Sequence, residues 1–198
     1  MTSPPSSDAA EKARLRTEVL KRRAGMGPEA RAAAAMMAAS HAPALLGAVQ
    51  GRIVSLFAPF RDEIDTAPLA AALWEAGADV ALPVVVDRTS PLLFRRWRPG
   101  DVLEPVGAYR IPTPSAQQPE LVPQDLIVPL AAFDRRGYRI GYGAGHYDRT
   151  LAMLRAKGPV RAFGLAFACQ EVAHVPAETH DERVDGMITE DGVFTCGE

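Results

Sequence analysis

Residues 139–149 decide the fold, and they read Arg-Ile-Gly-Tyr-Gly-Ala-Gly-His-Tyr-Asp-Arg. The apolar residues 125–130 before them predict a buried strand, and residues 149–155 after them predict a helix. A glycine-rich turn between a strand and a helix lets backbone N–H groups approach an anion, and the helix N-terminus adds a favourable dipole. The stretch therefore fits a phosphate-binding loop, although on spacing alone a tight turn that needs glycine fits equally well.

Two common nucleotide-binding signatures are absent from this loop. His146 stands where the last glycine of the dinucleotide fingerprint belongs, and no Gly-Lys-Ser/Thr follows the glycines. A nicotinamide-dependent oxidoreductase is therefore disfavoured. Arg139 and Arg149 bracket the loop with positive charge, and Asp148 offers an oxygen ligand to Mg²⁺.

The composition is that of an ordinary globular protein. The 198 residues suit one domain with a sizeable core, and 47% of them are hydrophobic. A net charge of −2, the lack of a long apolar run and the lack of a signal-peptide core predict neither a nucleic-acid nor a membrane partner. Cys169 and Cys196 suit a reducing compartment. We expect a cytoplasmic monomer, with a dimer as the alternative.

Alternating apolar runs and helical patterns predict an α/β fold, a three-layer α/β/α single domain with a mainly parallel central sheet. This domain is expected over residues 10–198, behind a disordered tail of residues 1–9. Helices are expected at 10–24, 29–39 and 67–76, the second ending at 41–43. Strands are expected at 52–59, 79–86, 92–97, 125–130, 160–167 and 184–189. Residues 107–124 contain four prolines and are expected to cross the surface as an irregular segment.

Four separated motifs resemble the signature of 5-formyltetrahydrofolate cyclo-ligases, also called methenyltetrahydrofolate synthetases. They are Lys12-x-x-Leu15-Arg16, Glu63-Ile64-x-Thr66, a string from Phe133 to Arg149, and a block from Gly164 to Asp185. The family string usually ends in Gly-Tyr-Tyr-Asp, whereas this chain has His146 at the first Tyr and Ala144 where Gly or Lys is common. These two departures leave a second interpretation open, a family-like ATP-binding module that has lost catalysis.

The resemblance implies a ligase that uses ATP and Mg²⁺ to cyclise 5-formyltetrahydrofolate to 5,10-methenyltetrahydrofolate, releasing ADP and phosphate. ATP would phosphorylate the formyl oxygen, and the folate N10 would attack the activated carbon. Both substrates are small molecules, and no protein nucleophile is needed.

The resemblance also implies roles for individual residues. The ATP-binding residues would be Lys12, Arg16, Arg139, Gly141, Gly143, Gly145 and Tyr147. The folate-binding residues would be Glu63, Tyr109, Tyr142, Ala144 and His146, where Tyr109 comes from a Gly-x-Tyr-x-Ile-Pro stretch that resembles the family's folate-side segment. The catalytic residues would be Arg139, Tyr142 and His146, and the metal ligands Asp148 and Asp185.

Overall fold

A central sheet of seven strands organises the computed structural model, which describes residues 7–197. The strands in chain order are β1 (Ile53–Ser55), β2 (Asp79–Val84), β3 (Leu93–Arg96), β4 (Leu103–Val106), β5 (Ile111–Pro114), β6 (Asp125–Val128), β7 (Ala132–Phe133), β8 (Arg139–Ile140), β9 (Arg161–Leu165), β10 (Gly186–Thr189) and β11 (Gly192–Thr195). The helices are α1 (Ser7–Ala24), α2 (Pro28–Leu46), α3 (Ala67–Glu75) and α4 (His146–Arg155), with a 3₁₀ turn at Ala168–Gln170.

The sheet is mainly parallel, as predicted. Its order is β11-β10-β9-β6-β1-β2-β3. The five inner strands run parallel to one another, and only the edge strands β3 and β11 are antiparallel. Because a parallel sheet must be covered on both faces, its strands are rich in apolar residues.

Helices cover both faces of the sheet and make three layers. On one face, alanines of α2 and leucines of α3 pack against Leu56, Leu82 and Ile127. On the other face, Leu151 and Leu154 of α4 pack against the alternate residues of β6 and β9. The α/β/α arrangement predicted from the alternation of elements is therefore present in the described residues.

Helix α1 lies apart from these layers, over the small β7–β8 hairpin. Its Leu15 and Val19 are buried against Ala132, Ile140 and Val175. The helix begins at Ser7, three residues before the predicted start, while residues 1–6 of the predicted tail lie outside the described residues. The hairpin itself was not expected, because residues 131–140 carry no long apolar alternation.

Several element boundaries differ from the prediction: strands β1, β2 and β6 end earlier than expected, at Ser55, Val84 and Val128. Helix α2 continues through Pro43 to Leu46, because Ala38, Ala42 and Leu46 form a buried stripe that extends past the proline. Proline normally disrupts a helix interior, and here packing outweighs that effect. The segment predicted as irregular forms a hairpin with β4, in which Pro105 lies opposite Pro112. Two opposed prolines fit a non-hydrogen-bonded pair, since neither has an N–H to donate.

An ion cluster of Asp125, Arg52 and Arg161 lies at the amino-terminal edge of the sheet. Asp125 is fully buried and accepts hydrogen bonds from Arg52 (2.7 Å) and Arg161 (2.6 Å). Burial alone would raise the pKa of Asp125, but the hydrogen bonds from these two arginines lower it overall. Among the described helices, none is long and apolar enough to cross a membrane.

Candidate active site

The glycine loop (residues 141–145) lies at the carboxyl edge of the sheet, between the β7–β8 hairpin and the first turn of α4. Gly143 and Gly145 have φ angles of 93° and 65°, which side-chain-bearing residues rarely adopt. A Cβ on Gly145 would lie 2.8 Å from an Arg149 nitrogen. Helix α4 begins at His146, so free N–H groups of its first turn lie directly after the loop. Free N–H groups beside a glycine loop can bind an anion such as phosphate.

Helix α1 contacts this loop from the outside. The Arg16 Nε donates to the Gly141 carbonyl at 2.7 Å. Further along the helix, the Arg23 Nη1 donates to the Tyr142 hydroxyl at 2.8 Å. The sequence-based prediction that the first helix folds back over the loop therefore agrees with these contacts.

Arg139 is the buried cation beneath the loop. It is 8% exposed, donates to Asp148 at 2.8 Å and also donates to the Glu182 carbonyl. Burial lowers the pKa of this guanidinium, while the negative charges of Asp148 and Asp181 oppose the shift. Arg139 thus has two carboxylates as neighbours, and only one of them had been predicted to belong to the site.

The predicted metal pair, Asp148 and Asp185, is not brought together. Asp148 lies in the first turn of α4, whereas Asp185 contacts Arg155 in the last turn at 3.1 Å. The Asp185 carboxylate also accepts the Ala162 backbone N–H at 2.6 Å. Asp185 directly precedes β10 and therefore lies near the amino-terminal edge of the sheet, away from the glycine loop. Its hydrogen-bond partners are therefore Arg155 and a backbone N–H, and not groups of the glycine loop.

A different acidic group lies beside α1. The Lys12 Nζ is 2.8 Å from Glu178 and 2.6 Å from Asp181. Burial would lower the pKa of Lys12, but hydrogen bonds to the two carboxylates raise it overall. With His180, these carboxylates place three potential ligand atoms within 4.8 Å of one another.

The chemistry of this acidic group fits a divalent cation such as Mg²⁺. Carboxylate oxygens are the protein ligands that Mg²⁺ prefers, but the Lys12 ammonium now binds two of them, so a metal ion would have to displace it. Sequence reasoning did not assign Glu178 and Asp181 to the site, although both belong to the C-terminal motif. Their spacing alone did not distinguish them from Asp185.

Glu63 forms the other side of the site. Its carboxylate accepts the Phe60 backbone N–H at 2.8 Å and interacts with the Tyr142 hydroxyl. Burial raises the pKa of Glu63, and hydrogen bonds from Tyr142 and Phe60 oppose that shift. Burial, together with the nearby Glu63 charge, also raises the pKa of Tyr142. Arg23 thus donates to the Tyr142 hydroxyl, and the Glu63 carboxylate acts electrostatically on the same group.

A narrow cleft, too small to hold a water molecule, lies beside these residues. Glu63 and Arg23 supply its charged groups, while Phe57, Ile64 and Leu130 supply apolar walls. These wall residues follow β1 and β6, so the cleft lies at the carboxyl ends of parallel strands. Ligands favour that edge in open α/β sheets.

The remaining predicted residues lie around the loop with different degrees of exposure. Tyr109 is 69% exposed, and its ring contacts Phe60 edge to face with centroids 5.2 Å apart. The Arg149 Nη2 donates to the Ala144 carbonyl at 2.8 Å. The same Nη2 lies 3.3 Å from the His146 Nδ1. These contacts hold the outer side of the loop.

Tyr147 points inward from the start of α4. Its hydroxyl is buried and has no hydrogen-bond partner among the described residues. Burial raises its pKa. A buried hydroxyl without a partner is unusual in a folded protein, and it lies next to the predicted phosphate loop.

The fold and site define an α/β protein with a ligand site at the carboxyl edge of a parallel sheet, built on a glycine loop and buried cations. A sequence model of the 5-formyltetrahydrofolate cyclo-ligase family matches residues 8–190. The chain therefore belongs to the 5-formyltetrahydrofolate cyclo-ligase family, a family of ATP-dependent ligases in folate one-carbon metabolism.

Curated relatives support this membership over nearly their whole length. The chain is 34% identical over 172 residues to the 5-formyltetrahydrofolate cyclo-ligase of Haemophilus influenzae, covering 84% of this chain and 91% of the relative. It is 32% identical over 181 residues to that of Escherichia coli K12, covering 89% of this chain and 98% of the relative.

Solved structures of the same family share the fold. The NMR structure of Aquifex aeolicus 5,10-methenyltetrahydrofolate synthetase superimposes with a TM-score of 0.76 at 28% identity, covering 94% of this chain and 93% of the other. The Mycoplasma pneumoniae 5,10-methenyltetrahydrofolate synthetase has a TM-score of 0.72 at 19% identity, covering 91% and 99%, and supports the fold alone.

Proposed function

We propose that this protein catalyses the ATP-dependent cyclisation of 5-formyltetrahydrofolate to 5,10-methenyltetrahydrofolate, with release of ADP and phosphate. Family membership supports the reaction, since the relatives that carry this name match along almost their full length. The observation that carries the proposal is the convergence of two sets of side chains on one loop. Arg16 and Arg139 bring positive charge to residues 141–145, and Glu63 interacts with Tyr142 of the same loop.

The phosphate side of the proposed site is built from fixed donors. Arg139 is buried and oriented by Asp148, so its guanidinium needs little reorganisation to face an anion. Arg16 lies at the loop carbonyl, and Lys12 lies nearby on the same helix face, one turn earlier. Charge-assisted hydrogen bonds from such groups, together with the N-terminus of α4, suit the triphosphate of ATP.

The folate side of the proposed site is the cleft between Glu63 and Arg23. The cleft is too small to hold a water molecule, so we expect the folate ring to lie at its mouth, beside the exposed ring of Tyr142. Tyr142 belongs to the loop, accepts a hydrogen bond from Arg23 of the cleft, and is the side chain best placed to meet the formyl group.

The reaction then needs alignment more than chemistry from side chains. The formyl oxygen attacks the γ-phosphorus of ATP, and ADP leaves. The N10 lone pair attacks the former formyl carbon, the C–O bond breaks to release phosphate, and N10 loses its proton. Positioned cations stabilise charge on the transferred group, as in other phosphoryl transfers.

Magnesium, when bound with ATP, would neutralise phosphate charge at this edge of the sheet. Asp148, Asp181 and Glu178 are the carboxylates that would hold it, because they lie near the loop. Asp148 and Asp181 are close to Arg139, and Glu178 and Asp181 both bind Lys12. Asp185 is not among them, since its partners are Arg155 and a backbone N–H. This choice replaces the pair expected from the sequence.

One assay tests the function directly. Protein, ATP, Mg²⁺ and 5-formyltetrahydrofolate are mixed, and the methenyl chromophore and ADP are followed together. Equal amounts of the two products are expected. The alternative, an ATP-binding module without catalysis, is motivated by Ala144 and His146, and it predicts ATP binding in calorimetry without either product.

A further inference from the structure

Arg149 connects three parts of the chain around the glycine loop. Its Nη2 donates to the Ala144 carbonyl at 2.8 Å and to the Arg88 carbonyl at 2.9 Å. The same atom lies 3.3 Å from the His146 Nδ1. The Nη1 occupies the space beside Gly145, since a Cβ at that residue would lie 2.8 Å from it. The guanidinium is therefore packed against the loop from Ala144 to His146.

The Arg88 carbonyl belongs to a turn that its neighbouring side chains stabilise. The Asp87 carboxylate accepts the backbone N–H groups of Thr89 and Ser90, each at 2.7 Å, and both of their hydroxyl groups. Hydrogen bonds of this kind order the backbone of a turn. Because the turn follows β2, the hydrogen bond from Arg149 ties the glycine loop to the carboxyl end of a sheet strand.

A second connection joins the same two segments. The Leu92 backbone N–H donates to the Thr150 Oγ1 at 2.9 Å, and that hydroxyl donates to the His146 carbonyl at 2.7 Å. Leu92 and Thr150 are both buried, so solvent does not compete for these hydrogen bonds. Residues 87–92 thus hold the start of α4 at two points, one through Thr150 and one through Arg149.

Arg149 also determines which nitrogen of His146 can donate. A guanidinium has only N–H donors, so its hydrogen bond to the Nδ1 requires that nitrogen to accept. The proton of the neutral imidazole ring then lies on the Nε2. Within residues 7–197, the Nε2 has no hydrogen-bond partner. It is therefore left as a donor beside the glycine loop.

The position of the Arg149 guanidinium does not satisfy all of its own donors. Its Nε is buried and has no acceptor among the described residues. A buried donor without an acceptor costs free energy. The contacts of the two terminal nitrogens with the loop therefore set the position of this side chain, at the expense of the Nε.

We infer that Arg149 is a positioning residue for the proposed reaction. It holds residues 144–146 against residues 87–92 and orients the His146 ring so that the Nε2–H is the free donor. The inference rests on the proposed function, which assigns the glycine loop to the reacting groups. Arg149 itself need not touch a substrate. A lysine cannot replace it, because an ammonium lacks the planar fork that reaches several acceptors in fixed directions.

NMR tests the orientation of the His146 ring without any substrate. A long-range ¹H–¹⁵N spectrum, recorded in mildly alkaline buffer where imidazole is neutral, shows which ring nitrogen carries the proton. The chain has four histidines, so the His146 signals are assigned by comparison with the His146→Tyr variant. In the wild type the Nδ1 is expected to be unprotonated. In Arg149→Ala and Arg149→Lys its resonance is expected to shift, because the donor is lost or displaced.

The matched control is Arg88→Ala, which removes an exposed guanidinium from the same surface but keeps the carbonyl that Arg149 contacts. This control is expected to leave the Nδ1 resonance of His146 unchanged. An equal shift in Arg88→Ala would assign the effect to surface charge and overturn the inference. A wild-type spectrum with the proton on the Nδ1 would overturn it as well, whether or not the Arg149 variants fold.

Kinetics tests whether this positioning matters for the reaction. In Arg149→Ala, kcat for methenyl formation is expected to fall about tenfold or more, because a small misplacement of reacting groups is costly in rate. The KM values should change less, since Arg16 and Arg139 keep their contacts near the loop. Arg149→Lys should lose as much kcat as Arg149→Ala. A wild-type kcat in Arg149→Lys would mean that charge alone suffices, and the positioning role would be wrong.

A double variant tests whether Arg149 acts through His146. The kcat loss in Arg149→Ala combined with His146→Ala is expected to be smaller than the product of the two single losses, because residues that act as a unit are not additive. Single losses that simply multiply would show independent action and reject the inference.

The proposed function is scored separately in the same proteins. Methenyl formation by the wild type, together with an unchanged kcat and an unchanged Nδ1 resonance in Arg149→Ala, rejects only the role of Arg149. A wild type that forms no methenyl product rejects the proposed function, and the positioning role with it.

Discussion

Replacing Lys12 by alanine should weaken ATP binding far more than folate binding. The Lys12 side chain is 12% exposed and makes two short ion pairs, with Glu178 and with Asp181. We expect ATP phosphate to draw this ammonium away from one or both carboxylates. The alanine variant loses the contact with phosphate. It also lacks the two ion pairs, so ATP binding no longer carries the cost of breaking them that it carries in the wild-type protein.

The size of the effect follows from that exchange. A hydrogen bond between charged groups contributes about 1.5–3 kcal/mol. Because the wild-type lysine leaves existing partners to meet ATP, the net loss should lie at the lower end of this range. We therefore expect the KM for ATP to rise about tenfold, which corresponds to ~1.4 kcal/mol.

Folding stability should respond as well. The Asp181 side chain is 15% exposed and the Glu178 side chain 37% exposed. Solvent therefore screens the Lys12–Glu178 pair more than the Lys12–Asp181 pair. We expect Lys12→Ala to lower the free energy of unfolding by about 1–3 kcal/mol, mainly through the less exposed Asp181 left without its partner. Bound Mg²⁺ should restore part of this stability, since it offers the carboxylates another cation.

Steady-state kinetics with each substrate varied, together with urea unfolding, measures these effects. Lys21→Ala is the matched control, because Lys21 is an exposed lysine on the same helix. A KM for ATP within twofold of the wild-type value in Lys12→Ala would refute the phosphate role. A matching rise in the KM for folate would indicate general damage to the loop instead.

Three further predictions concern single carboxylates. The pKa of Asp125 is lowered in the folded state, so its contribution to the free energy of unfolding is complete above its unfolded pKa of about 4 and is lost as pH falls through its folded pKa. Asp125→Asn should therefore make the free energy of unfolding, measured with urea at several pH values, depend less on pH in acid. The pKa of Glu63 is raised, so its ionisation opposes folding as pH rises above about 4.3. Glu63→Gln should remove this loss of stability and raise the KM for folate, and an unchanged KM would exclude it from substrate binding. Asp148→Asn should shift the magnesium titration of activity to higher concentration whereas Asp185→Asn should not, and the reverse order would restore Asp185 to the metal site.

Much of the fold was predictable because local pattern and packing agree. The apolar run at 125–130 and the glycines that follow it gave the strand and the loop in the right order. Pro43 shows where local preference failed, since burial of Ala42 and Leu46 maintains a helix that proline alone would end. The opposed prolines of the β4–β5 hairpin show the same limit, because strand pairing depends on a partner far along the chain.

The site was less predictable than the fold. Asp181 and Asp185 lie four residues apart in one motif, and only their three-dimensional neighbours separate them. The burial of Arg23 could not be predicted from the sequence, because three consecutive basic residues, Lys21 to Arg23, are typical of a solvent-exposed helix end. Its burial arises from Asp62 and Tyr142, which lie 39 and 119 residues away in sequence.

The position of α1 links the two halves of the site thermodynamically. The helix contributes Lys12 and Arg16 near the proposed phosphate side and Arg23 at the cleft, while Leu15 and Val19 supply its buried apolar contacts with the hairpin. A ligand on either side that holds this helix in place therefore assists the other ligand. Such coupling is reciprocal, so we expect any factor by which ATP raises the affinity for folate to equal the factor by which folate raises the affinity for ATP.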